Sequence, residues 1–359
     1  MKTLLITLEY PPFNGGVANY YANLVKYWPK NESIKVVDNS RGELFSGTGP
    51  FPWFKAIAVI WKNRRNKTFD YLLIGHILPL GTAAFIVSLI MPVKYAVILH
   101  GLDFTSAIST FRKKIISSLI LKRADKVICA NSYVAGLVKE LDINLSKKII
   151  VKNPGVEVSQ IKVEQSRLES IKKDYNLENS IIILSIGRLV LRKGFDKMIE
   201  ALSLIKDEPI KYFIVGVGEK EKYLKDLVTK LNLNDKVFFL GSLSQTDKHA
   251  WLEVSDIFAM PARRIGKDFE GFGIVYLEAN LHSKPVIAGQ SGGIEDAVVD
   301  GETGLLVNPE NANEISKLIS LLSKNRELRE RLGKQGKERV VSEFNWENQS
   351  RKFYESLIS

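Results

Sequence analysis

Glu270 and Glu278 frame the segment Glu270-Gly271-Phe272-Gly273-Ile274-Val275-Tyr276-Leu277-Glu278. The first carboxylate precedes a glycine-rich turn, and the second sits about two turns into the helix expected to follow. A carboxylate on such a helix can accept hydrogen bonds from a ribose diol. Leu277 and Ala279 flank Glu278, so a buried acid there needs a ligand or a cation beside it. A second group is Gly187-Arg188-Leu189-Val190-Leu191-Arg192-Lys193-Gly194, where Arg188 and Lys193 bracket a loop leading into a helix. Two cations next to a helix amino end suit a diphosphate. His100 opens His100-Gly101-Leu102-Asp103, directly after an apolar run. Gly15 and Gly16, in Pro11-Pro12-Phe13-Asn14-Gly15-Gly16-Val17, let backbone approach an anion. Each group also has a plainer reading: an exposed helix acid, a solvated basic loop, a structural histidine and a structural turn.

These groups need elements that bring them to one edge. Apolar runs at 3–7, 34–37, 71–75, 95–99, 126–130 and 149–151 read as strands. A second series lies at 181–186, 212–215, 237–240, 257–260, 285–288 and 304–307. Helix-length amphipathic stretches separate them, such as 196–205 and 221–231. Short apolar strands alternating with helices indicate parallel sheets covered on both faces, and the pattern occurs twice. The expected fold is α/β, with two doubly wound Rossmann-like domains facing across a cleft. The turn residues Asn153-Pro154-Gly155 mark the first boundary. All four groups then fall at strand carboxyl ends, where open α/β sheets bind ligands. Neither G-x-G-x-x-G nor G-x-x-x-x-G-K-[ST] is present at the glycine loops.

In order along the chain, these motifs resemble retaining glycosyltransferases of family four, which have the GT-B fold. The carriers are Gly187-Arg188 with Lys193-Gly194, and the two glutamates inside E-G-F-G-x-x-x-L-E. Gly15-Gly16, His100-Gly101, Asn153-Pro154-Gly155-Val156, Val215-Gly216-x-Gly218, Pro261-Ala262-Arg263 and Ser291-Gly292-Gly293 extend the likeness over the whole chain. Ser291-Gly292-Gly293 also reads locally as a tight turn.

The resemblance implies a nucleotide-sugar-dependent hexosyltransferase. Arg188 and Lys193 would bind the donor diphosphate and stabilise its leaving charge. Glu278 would hold the ribose, and Glu270 would contact the transferred sugar or stabilise charge near its anomeric carbon. Gly187 belongs to the diphosphate loop, and Gly271, Phe272 and Gly273 would offer backbone N–H groups. Gly15 and Gly16 would lie near the diphosphate, His100 at the transferred sugar, and Gly241-Ser242-Leu243 at the base. It also implies three parts: 1–160 binding the acceptor, 161–343 binding the donor, and a C-terminal helix, 344–359, crossing back through Phe344, Trp346, Phe353, Tyr354 and Leu357. The segment Glu270 to Leu277 is most similar to mannosyltransferases of the family, bacterial members included. GDP-mannose is therefore the favoured donor, with a UDP-sugar and a soluble acceptor as the alternative. Expected acceptors are glycans or lipid-linked sugars of cell-envelope polysaccharide or glycolipid synthesis. No further cofactor is expected. There is no D-x-D pair or Cys/His cluster for a metal, so the two cations are expected to take that part.

Composition narrows the setting. The single cysteine, Cys129, excludes a disulfide framework within the chain and fits a reducing, cytoplasmic compartment. Residues 1–9 read as a first strand rather than a leader peptide. Residues 77–99 are almost wholly apolar, but Pro79, Gly81 and Pro92 divide them into a helix at 81–90 and a strand at 95–99. The net charge is +11, and residues 1–160 carry all of it, with 21 Lys and Arg against 10 Asp and Glu. Basic clusters lie at Lys62, Arg64, Arg65 and Lys67, and at Arg112, Lys113, Lys114, Lys122 and Arg123. Phe51, Trp53, Phe54 and Trp61 stand near the first cluster, which suits an anionic membrane surface at the inner face of the cell membrane. Lineage composition explains the same charge, and a nucleic-acid-binding protein would need a recognition module that is absent. A sugar-binding module without activity would not need Arg188, Lys193, Glu270 and Glu278 together.

Overall fold

Among the described residues every strand is parallel to its neighbours, in two separate six-stranded sheets. The computed structural model describes residues 1–13, 15–45, 53–158 and 163–359. Asn14, Phe51 and the expected break between residues 160 and 161 lie outside them. The chain divides into two compact units, Met1–Gly155 with Trp346–Ser359, and Val156–Asn345.

The first unit contains β1 (Lys2–Ile6), β2 (Ser33–Val37), β3 (Tyr71–Ile74), β4 (Lys94–Leu99), β5 (Lys126–Cys129) and β6 (Ile149–Val151), in the order β2-β1-β3-β4-β5-β6. Leu4, Leu5, Ile6, Leu72, Leu73 and Ile74 are all buried, because helices cover both faces of a parallel sheet. Residues 77–99 form a helix, Leu80–Ile90, and then β4. Among the described residues no helix is long and apolar enough to cross a membrane. The C-terminal helix, Trp346–Ile358, packs on the helix Gly16–Lys26 and the turn after it. Trp346 meets Tyr20 at 5.5 Å between ring centres, Tyr354 meets Trp28 at 5.5 Å, and the Ser350 hydroxyl donates to the Leu24 carbonyl. Phe344, expected as the first anchor of that helix, instead stays in the second unit. Its ring lies 5.8 Å from Phe272, and its carbonyl accepts from the Val156 amide.

The second unit contains β7 (Ile181–Ile186), β8 (Ile210–Val215), β9 (Val237–Gly241), β10 (Ile257–Met260), β11 (Val286–Gly289) and β12 (Gly304–Val307), in the order β12-β11-β10-β7-β8-β9. This is the doubly wound order, in which the chain reverses direction between β7 and β10. In open sheets of this order, ligands bind at the carboxyl edge where the loops after two such strands diverge. In the first unit the reversal falls between β1 and β3. Pattern reading located all twelve strands, with ends displaced by no more than two residues. The fold is therefore the expected pair of Rossmann-like domains with a C-terminal helix.

Candidate active site

The reversal in the second unit gathers the cations and Glu270. β7 ends at Ile186, and residues 191–193 form a single 3-10 turn. Gly194 closes it at φ +76°, where a Cβ would collide with the Pro261 carbonyl after β10. The Arg263 amide also donates to the Arg192 carbonyl at 2.8 Å, so the loops after β7 and β10 are tied to each other. Arg263 itself is buried and grips buried Asp196 with two hydrogen bonds, at 2.9 and 2.7 Å. That fork fixes the first turn of the helix Phe195–Ser203 beneath the loop.

Glu270 stands at the centre. Its Oε2 accepts from Lys193 Nζ at 2.6 Å and from Arg192 Nη1 at 2.5 Å. Arg192 also pairs with Asp268 at 3.1 Å. Burial pushes the Glu270 carboxyl up, but the charges and hydrogen bonds of Lys193 and Arg192 outweigh it and leave the group below the ordinary carboxylate range. Its backbone is fixed as well: the Glu270 carbonyl accepts from the Gly293 amide at 3.0 Å, and a side chain at Gly292 would strike that carbonyl. The turn Ser291-Gly292-Gly293 thus positions Glu270. Arg188 is placed differently from Lys193. It is exposed, and its side chain makes no hydrogen bond or ion pair among the described residues, so its guanidinium is uncommitted. Gly187 sits under the Lys193 stem, with a Cβ position 3.3 Å from Lys193 Cε.

The next helix, Ile274–Leu281, starts at Gly273, whose φ of +79° and contact with the Tyr276 ring exclude a side chain. The Tyr276 hydroxyl donates to the Met260 carbonyl at 2.7 Å and pins this helix to the end of β10. Gly271 and buried Phe272 form the approach to it. Glu278 has a cation beside it, as the sequence demanded: Lys248 Nζ lies 2.8 Å from Oε1, on the helix Gln245–Val254. The other oxygen, Oε2, is buried and accepts no hydrogen bond among the described residues. A buried carboxylate oxygen without a donor is costly and is available to accept from a ligand. Four residues on, His282 bonds His249 at 2.8 Å and Glu253 at 2.7 Å, a second tie between the same two helices. Gly241, at φ +66°, accepts from the Gly216 amide and has open space where a Cβ would be, while half-buried Leu243 packs on the core.

In the first unit, the Gly15 carbonyl accepts from the Asn19 amide at the start of the helix Gly16–Lys26. Gly15, the N-cap of this helix, has no side chain to cap it, and Gly16 faces open space. His100 follows β4, its ring enclosed by Tyr20 and Tyr21. The Tyr21 hydroxyl donates to the Gly75 carbonyl and therefore accepts from His100 Nε2 at 2.8 Å. Burial, aided by His76, pushes the His100 imidazole down to about 3, so it is neutral at physiological pH. Asp103 Oδ1 accepts from the His100 and Gly101 amides, and its Oδ2 is buried without a hydrogen-bond partner among the described residues. Sequence reading did not single out Arg192, Lys248, Asp103 or the Arg263–Asp196 fork, which the structure places against the candidate residues and their loops. A cavity of about 660 Å³, lined by residues including Arg64, Lys94, Arg123 and Lys148, lies by the amino ends of β4 and β5, at the opposite edge from these groups.

Residues 167–339 match the model of the family described as glycosyl transferases group 1. Over 99% of both chains, the protein is 28% identical to an uncharacterized glycosyltransferase of Methanocaldococcus jannaschii. It is 31% identical to a GDP-mannose-dependent alpha-(1-6)-phosphatidylinositol monomannoside mannosyltransferase of Mycobacterium tuberculosis, over 57% of this chain and 54% of that one. The chain thus spans about half the length of that relative. Among solved structures it superposes on HepE of Anabaena in complex with UDP, with a TM-score of 0.80, 18% identity and 100% of each chain covered. A glycosyltransferase from Rickettsia africae superposes with a TM-score of 0.80 at 21% identity, over 99% of this chain and 97% of that one. The chain is a GT-B glycosyltransferase, related to group 1 enzymes and to mannosyltransferases.

Proposed function

We propose that the protein is a family-four retaining enzyme that transfers a hexose, mannose in the first place, from GDP-mannose to a glycan or lipid-linked acceptor. The setting is cell-envelope polysaccharide or glycolipid synthesis at the cytoplasmic face of the membrane. The carrying observation is the unpartnered Oε2 of Glu278 on the helix that follows Glu270, with Arg192 and Lys193. The ribose donates to Glu278, and the diphosphate lies against Arg188, Lys193 and the amides around Gly187, Gly271, Phe272 and Gly273. The base lies by Gly241 and Leu243. The family pattern assigns Gly15 and Gly16 to the diphosphate and His100 to the transferred sugar. Cleavage of the sugar–phosphate bond leaves negative charge on the nucleoside diphosphate. Cations held in place before reaction stabilise it without reorganisation. Glu270, kept ionised by Lys193 and Arg192, stabilises positive character at the anomeric carbon. His100, neutral, meets the sugar by hydrogen bonding rather than charge.

Mannose as the sugar and lipid as the acceptor are supported by the mycobacterial relative, whose name specifies both GDP-mannose and a phosphatidylinositol mannoside. A UDP-sugar with a soluble acceptor is the second reading, its donor suggested by the UDP complex of the HepE neighbour. Thermal unfolding with GDP-mannose, GDP, UDP-glucose and UDP separates them, since a ligand of the folded form raises apparent stability. Stabilisation by GDP-mannose and GDP, reduced in Lys193→Ala, is expected. Stabilisation by the uridine compounds alone overturns the mannose assignment, and none by any compound overturns the donor site.

A further inference from the structure

We propose that the helix Phe111–Arg123 seats this enzyme in the plane of an anionic bilayer, with Phe111, Ile115 and Leu119 entering the acyl boundary. The inference rests on the lipid-linked reading above and names the surface that reading requires.

The helix buries only Ser117, Ile120 and Leu121 against its own unit. A surface helix of this kind ordinarily turns a polar face to water. Here Phe111 is 79% exposed, Ile115 45% and Leu119 46%. At 3.6 residues per turn these three, four residues apart, form one ridge on the side opposite the buried residues. Ile116, also exposed, lies to one side of it, and exposed Leu102 belongs to the short helix just before. A contiguous apolar strip of this size marks an interaction site.

The charges around the ridge specify what covers it. The helix sequence, FRKKIISSLILKR, has five cations and no acid. Arg112, Lys113 and Lys114 occupy its first turn, where the helix dipole disfavours positive charge, and among the described residues they have no ion-pair partner. Cations placed there without a carboxylate nearby call for an external anion. Lys122 and Arg123, by contrast, are held by Asp142 and by the Ser88 carbonyl. An apolar ridge edged by basic side chains matches a helix lying in the headgroup layer, with its cations on lipid phosphates. A second copy does not fit, because in either helix orientation basic ends would face basic ends.

The helix Phe54–Arg65 supplies the internal comparison. It too is basic, with Phe54 59% and Trp61 37% exposed, but these two are seven residues apart and only the small side chain of Ala58 is exposed between them on that face, so it offers less apolar surface. The test is sedimentation of the full chain with phosphatidylcholine vesicles and with vesicles containing phosphatidylglycerol. Wild type should bind the anionic vesicles and release with salt. Phe111→Ser, Ile115→Ser and Leu119→Ser together should weaken that binding at least about tenfold, and Phe54→Ser with Trp61→Ser should not. All four proteins, including Arg112→Gln, Lys113→Gln and Lys114→Gln combined, should keep the thermal response to nucleotide. Equal binding by wild type and the ridge variant overturns the helix assignment while membrane attachment stands. No wild-type binding to anionic vesicles at low salt overturns attachment itself. Equal binding to neutral vesicles overturns the part given to charge.

Discussion

Glu278→Gln tests the donor site at its most specific point. Glu278 Oε1 is held by Lys248 at 2.8 Å, while Oε2 is buried and accepts nothing. If Oε2 receives a ribose hydroxyl, the bond is to a charged acceptor and is worth about 1.5–3 kcal/mol. Its loss weakens nucleoside diphosphate binding about 10- to 150-fold. Gln keeps the volume, so the helix Ile274–Leu281 and its tie through Tyr276 survive. The assay is titration calorimetry with GDP and, in parallel, inorganic pyrophosphate, which has no ribose. GDP affinity should fall by that factor, and pyrophosphate affinity should stay within about twofold. Lys248→Met should act on GDP in the same direction but less, about 3- to 10-fold, because it frees the carboxylate without removing it. If GDP and pyrophosphate weaken equally, Glu278 acts on charge or fold rather than on the ribose. If neither weakens, the unpartnered oxygen has no ligand and the reasoning fails.

Two further outcomes follow from the ionised groups. Glu270 has a depressed folded pKa, so it adds stability above its unfolded value, and that stability is lost as pH falls through the folded one. Glu270→Gln should lower stability at pH 7 by about 3–5 kcal/mol, by stranding Lys193 and Arg192, and should flatten the loss below about pH 4.3. Urea unfolding across pH measures both, and a variant with wild-type stability and acid slope refutes the cluster. His100, at about 3, is likewise depressed, but as a base: between pH ~6.5 and ~5 the unfolded chain takes up a proton that the folded chain refuses. Wild type should therefore lose about 2 kcal/mol more than His100→Gln over that window, and parallel pH profiles would show that His100 titrates normally.

Much of this was legible in sequence because parallel strands buried on both faces are continuous apolar runs whose ends can be counted. Glycine loops at those ends then locate a site before any fold is drawn. Choosing between Arg188 and Arg192 was not possible that way. Both lie in one loop, and the 3-10 turn closed by Gly194 decides that Arg192 faces Glu270 while Arg188 faces solvent. Lys248 was invisible beside Glu278 for a different reason: it arrives from the helix before β10, thirty residues upstream. The Gly292-Gly293 turn read as local punctuation, yet its missing side chains make room for the Glu270 carbonyl. In the helix Phe111–Arg123 the basic cluster was plain, but the apolar ridge was not. A helix with apolar residues on two sides does not reveal which side the core takes.

The arrangement at Glu270 accounts for how two neighbouring cations, which the proposed reading gives to a diphosphate, are held together in the fold. Arg192 and Lys193 are each only about an eighth exposed, and two such cations at hydrogen-bonding distance from a shared point would repel. Glu270 neutralises them, and Asp268 takes a further share of Arg192. An ammonium has three donors, so Lys193 can keep Glu270 and still reach a phosphate oxygen. Arg188, exposed and uncommitted, can add its charge without breaking any pair. On the proposed donor-site reading, donor binding would add phosphate to the cluster instead of exchanging it for the carboxylate. Glu270 would stay ionised beside the sugar as the leaving phosphate departs, so the pairing that balances the two cations would also set the charge for the reaction.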